Sequence, residues 1–72
     1  MTTREMRMKI MEGILSLPPH YQNIFNRRYC PNNDITIPIE ETVRRIRPAL
    51  LESAISTVSS LSKQFAISVL DK

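Results

Sequence analysis

Cys30 and His20 are the residues best suited to form a nucleophile and its base, since a thiol attacks only after a neighbouring group removes its proton. They are the sole cysteine and the sole histidine, and neither a third orienting group nor a flanking signature accompanies them. The expectation is a semi-buried thiol and a surface imidazole. A single cysteine cannot close an internal disulfide, and together with one histidine it falls short of the four ligands of a tetrahedral zinc site. Asn32, Asn33 and Asp34 carry oxygen atoms of the kind calcium prefers, but the alternating ligands and closing glutamate of a calcium loop are missing, so the stretch reads as a turn. Glu40 and Glu41 are neighbours and would point roughly 100° apart around a helix, which suits helix initiation better than paired acid and base work. Gly13 is the only glycine, which leaves no glycine-rich cradle for phosphate. The residues therefore predict a protein that is not an enzyme and has no metal and no cofactor.

Charge and hydroxyl groups remain. Ten Lys and Arg against seven Asp and Glu give a formal charge of +3, compatible with a polyanionic partner. Arg44, Arg45 and Arg47 are clustered, and Ser53, Ser56, Thr57 and Lys63 follow on the next segment. Guanidinium groups anchor phosphates, and hydroxyl and ammonium groups contact phosphates or base edges. The same arginines also suit the negative end of a helix dipole, as do Arg27 and Arg28, and the serines also suit a solvent face.

The elements that must hold these groups are helices. With 42% apolar residues, 24% charged residues and 72 positions, the chain suits one small all-α domain, 1–72, and neither disorder nor a glycine-turned sandwich. Met6, Ile10, Ile14 and Leu17 recur at helical spacing, with Met11 and Leu15 beside them, predicting a helix over about 3–16. Pro18 disfavours helical geometry at Leu17 while Pro19 fits a first turn, so a second helix follows over 19–29, burying Tyr21, Ile24, Phe25 and Tyr29. Residues 30–34 read as a loop, and Ile35-Thr36-Ile37 is too short for an independent sheet. Pro38, Glu40 and Glu41 open a third helix over 38–47, with Ile39, Val43 and Ile46 on its apolar stripe. Pro48 interrupts it, and a long fourth helix runs over 49–70.

That fourth helix carries Leu51, Ile55, Val58, Leu61, Phe65 and Val69 on one stripe, the predicted interface for a protein partner. Leu50, Ala54, Ile67 and Leu70 lie partly outside it, and two such helices from separate chains could bury them together as a homodimer. No apolar run reaches the roughly 18 residues of a spanning helix, so no membrane role is expected, and the free thiol fits a reduced cytoplasmic setting.

Leu17-Pro18, Ile24-Phe25, Arg28-Tyr29, Glu40-Glu41 and Arg45-Ile46 occur in an order and at spacings that resemble the fourth conserved region of bacterial sigma-70-type factors, over residues 17–46. The resemblance implies a helix-turn-helix that regulates transcription, with its second helix in the DNA major groove and its first helices touching RNA polymerase. It would make Arg44, Arg45 and Arg47 phosphate anchors and place Ser53, Ser56, Thr57 and Lys63 on the inserted face. Phe25 to Tyr29, the Pro38 junction, and Glu41, Val43, Arg45, Pro48 and Leu51 also resemble, with gaps, the theta subunit of bacterial DNA polymerase III. This second likeness implies an accessory subunit that binds protein. The leading expectation is thus a DNA-binding module, and the alternative is a protein-interaction module using the apolar helices and the methionines of the first one.

Overall fold

Thr2 starts the first helix with a reciprocal cap: its hydroxyl oxygen accepts from the Glu5 N–H (3.1 Å) and its hydroxyl donates to Glu5 Oε1 (3.0 Å). In this computed structural model, which describes residues 2–30 and 37–70, α1 then spans Thr3–Leu15. Ser16 closes it by donating its hydroxyl to the Glu12 carbonyl (2.8 Å). The Leu17-Pro18-Pro19 corner follows, Pro18 is extended, and α2 spans Pro19–Tyr29. Gln22 secures the corner by donating to the Leu17 carbonyl (2.8 Å).

α3 spans Ile39–Arg45 and is shorter than the predicted 38–47. Ile46 and Arg47 both turn to extended backbone, and at Arg47 the cause is the ring of Pro48, which crowds helical geometry in the residue before it. Pro48–Leu50 forms one 3-10 turn that leads directly into α4, Leu51–Leu70. The predicted loop at residues 30–34 and the stretch 35–37 lie largely outside the described residues.

Four pairings set the helix directions. Arg7 reaches the carbonyl of Ile46, just ahead of α4, and Gly13 lies against Val58, so α1 and α4 run the same way. Tyr21 stacks near Phe65 (ring centroids 5.8 Å apart) while Tyr29 meets Ser53 and Thr57, so α2 runs against them. The main seam joins α1 to α4, and α3 packs on α1 and α2.

Ile10, Ile14, Phe25, Val43, Leu51 and Ala54 are almost wholly enclosed, with Leu17, Ile46, Val58 and Leu61 around them. Burial of such side chains is worth roughly 1.5–3 kcal/mol each and supplies most of the drive to fold. Leu15 and Ile24, assigned to the apolar faces of α1 and α2, turn outward instead. A stripe at helical spacing is wider than the surface its neighbours cover, and these two lie at its margins. Among the described residues one fully buried side chain is polar. Thr42 donates its hydroxyl to Asn26 Oδ1, and Asn26 Nδ2 donates to the Ile37 carbonyl (2.9 Å), linking α3, the segment before it and α2 through a satisfied polar bridge.

Candidate nucleic-acid interface

α2 presents His20, Asn23, Ile24, Arg27 and Arg28 to solvent, because the opposite side of the helix is occupied by Phe25 in the core. Cations in the last turn of α2 face the negative end of its dipole, which stabilises their position. Alongside runs the polar flank of α4. Ser53, Ser56, Thr57, Ser60 and Gln64 line a shallow groove of about 390 Å³ together with Ile24 and Arg28. A second shallow groove of about 420 Å³, lined by His20, Asn23, Ile24, Arg27 and Arg28, adjoins it. Ile24 and Arg28 belong to both, so the two form one continuous strip. Among the described residues no carboxylate lines either groove. Such a surface offers N–H and O–H donors and positive charge, the set that phosphodiester oxygens require.

Within this strip the α4 hydroxyls are not equivalent. Thr57 donates to the Ser53 carbonyl (3.0 Å), so the Tyr29 hydroxyl donates to Thr57 Oγ1 (2.9 Å) and accepts from Ser53 Oγ (3.2 Å). Ser53 and Thr57 therefore hold α2 to α4 and do not form a free reading surface. Ser56 is exposed and Lys63 is exposed one turn beyond Ser60 and Ser59, outside the groove lining.

The predicted phosphate anchors lie elsewhere. Arg44, Arg45 and Arg47 are all exposed at the end of α3 and just beyond it. Arg45 Nε sits 2.9 Å from Glu41 Oε1, and Arg44 Nη1 sits 3.9 Å from Glu41 Oε2, so one carboxylate partly offsets two of the three cations. Arg47 makes no ion pair among the described residues. The expected helix-turn-helix arrangement also differs from the packing found. α3 leans on α1 and α2, and α4 finds its main partner in α1. Arg47 and Pro48, extended and then tightly turned, carry the chain out of α3 without folding α4 back onto it.

The predicted partner stripe needs a larger correction. Leu51, Val58 and Leu61 are buried in the chain's own core, and Ile55 and Phe65 are partly buried against it. Ala54, assigned to the second apolar edge, is wholly enclosed as well. Leu50, in the 3-10 turn, is 47% exposed, and the last turns of α4 also stay uncovered: Ile67, Val69 and Leu70 are 61%, 55% and 85% exposed. In those last turns the reason is length, since 20 residues extend about 30 Å while α1 has 13 residues and reaches only about 20 Å.

Cys30 is buried beyond the end of α2, its thiol 3.7 Å from the Arg27 carbonyl, and His20 is exposed in the first turn of the same helix. Ten residues at 1.5 Å each separate them by about 15 Å, so they do not form a nucleophile and base pair. Among the described residues no three His, Cys, Asp or Glu side chains gather as metal ligands, and no helix is long and apolar enough to cross a membrane.

Arg27 and Arg28 are the members of this strip that sequence reasoning treated only as dipole partners. The signal that places them is the spacing of His20, Asn23 and Arg27, and of Ile24 and Arg28, which gathers all five within one arc of the helix. Comparison with models of known protein families, with characterised proteins and with solved structures finds no match to this chain.

Proposed function

We propose that this chain is a non-enzymatic DNA-binding module that grips the phosphate backbone along the strip formed by α2 and α4. The observation that carries this reading is the lining of the two adjoining grooves, where Arg27, Arg28, His20, Asn23, Gln64 and the serines converge with no carboxylate among the described residues. The net charge of +3 supports it. Arg28 and Arg27 anchor phosphates in this reading, Ser56, Ser60 and Gln64 donate to them, and Lys63 adds charge at the edge. Arg44, Arg45 and Arg47 play a lesser part, because Glu41 already offsets two of them. Phosphate contacts dominate this reading, so binding is expected to depend strongly on salt, while Arg27, Arg28, Asn23 and Gln64 are the side chains of types able to contact base edges. Titration of labelled duplex DNA at about 50 mM salt, where counterion release favours binding, tests this directly. Absence of binding under that condition rejects the reading.

A second reading, self-association, rests on a separate observation: the exposed Ile67, Val69 and Leu70 at the end of α4. A pair of chains that cover these side chains together would remove apolar surface from water. Sedimentation of the protein at high micromolar concentration checks it, and a monomer there eliminates the homodimer.

A further inference from the structure

A trough of about 640 Å³ runs between α1 and α3, on a different part of the surface from the strip assigned to DNA. Val43 and Met11 form its apolar interior and Met8, 54% exposed, stands at its side. Unbranched thioether side chains adapt their shape to varied apolar partners, which makes such a surface suited to a protein and not to one rigid ligand. Arg4 and Arg7 supply two positive charges that no carboxylate pairs with among the described residues, and Arg44, which Glu41 partly offsets, stands beside them, while Glu12 and Glu40 lie on the same lining.

Arg7 distinguishes this trough from a mere apolar patch. Its Nη2 donates to the Ile46 carbonyl (2.9 Å), which fixes the guanidinium between α1 and the end of α3, while its Nε is buried without a partner. Among the described residues no carboxylate lies within ion-pair distance of Arg7 or Arg4. The wall therefore holds a cation that is already partly dehydrated and oriented, so pairing it with an incoming carboxylate costs little further desolvation or ordering.

From this geometry we infer that the trough seats one amphipathic helix of a partner protein, apolar along one face and acidic along its edges. The dimensions fit. The lining residues of α1 run from Arg4 to Glu12, about 12 Å along the helix axis, which is the span of apolar anchors at positions i, i+3, i+4 and i+7. The backbone requirement points the same way. A surface built from helices offers no strand edge to an extended peptide, so the occupant must satisfy its own backbone hydrogen bonds and contribute side chains alone. Arg4 and Arg7, which no carboxylate pairs with among the described residues, select acidic flanks. This inference does not depend on the DNA reading and can fail or hold separately from it.

Two fluorescent synthetic helices of about four turns serve as probes, identical in their leucine face and carrying either glutamate or lysine along the edges. Fluorescence anisotropy with the full chain should give at least about tenfold tighter binding of the glutamate peptide. Arg4→Glu with Arg44→Glu should remove that preference, and both residues are exposed, so far-UV circular dichroism should show the helices intact. Met8→Ser should weaken the same peptide without altering charge. Arg27→Ala with Arg28→Ala should leave it unchanged. Equal binding of the two peptides overturns the inference, as does an acidic peptide indifferent to the changes at Arg4, Arg44 and Met8, or one displaced only by the changes on α2. Preference for a short anionic detergent with no binding of either peptide also overturns it, by assigning the trough to a small amphiphile.

Discussion

Gly13 of α1 lies so close to Val58 of α4 that a Cβ built on the glycine would stand 2.6 Å from Val58 Cγ1. The contact is where the main seam of the molecule closes, and the absence of a side chain at residue 13 is what allows it. Glycine within a helix costs roughly 1 kcal/mol relative to alanine, so a residue of such poor propensity serves here for packing.

Gly13→Ala accordingly pits a propensity gain of about 1 kcal/mol against an overpacking cost of about 1–3 kcal/mol. Val58 is β-branched and stiff about χ1, so it cannot swing aside easily. The expected result is a net loss of stability, and partial recovery when Val58→Ala is added despite the cavity that change creates on its own. Thermal unfolding of the two single variants and the double variant measures the coupling, and additive effects would contradict the contact.

Thr42→Val should destabilise the fold by about 1–3 kcal/mol although it preserves shape, because half-buried Asn26 Oδ1 loses the donor that fully buried Thr42 supplies. Urea unfolding checks the value. A neutral outcome would mean that the bridge between α2 and α3 contributes nothing beyond the volume of its side chains.

Tyr29→Phe should cost less, about 0.5–1 kcal/mol. Its hydroxyl joins Ser53 and Thr57 at the edge of the core, where water can replace it. The order of the two effects, Thr42→Val larger than Tyr29→Phe, follows from burial and is read from the same urea experiment.

On the DNA side, Arg27→Ala and Arg28→Ala should each flatten the dependence of log K on log salt by about 0.9 for every phosphate that the removed guanidinium had neutralised. Arg44→Ala and Arg45→Ala should flatten it less, since Glu41 lies beside both. Binding isotherms at several salt concentrations separate the cases. If the α3 pair carries the larger slope, DNA is held at the end of α3 and not along α2 and α4.

The helices themselves were legible in the residues. Leu17-Pro18-Pro19, Pro38 and Pro48 mark the breaks, because proline constrains its own φ and the residue before it wherever it occurs, and Met6, Ile10 and Ile14 mark a buried side by spacing alone. These are local properties, carried by a few neighbouring residues. Tertiary packing decided the rest. Spacing showed that Leu51, Val58 and Leu61 share a face of α4, but only the placement of α1 and α2 turns that face into the chain's own core and leaves Ile67, Val69 and Leu70 outside. In the same way Thr42 meets Asn26, and Arg28 joins Ser56 and Ser60, across separations that no local pattern encodes. Which residues meet depends on how helices cross, and that is set by the fit of whole side-chain surfaces against one another.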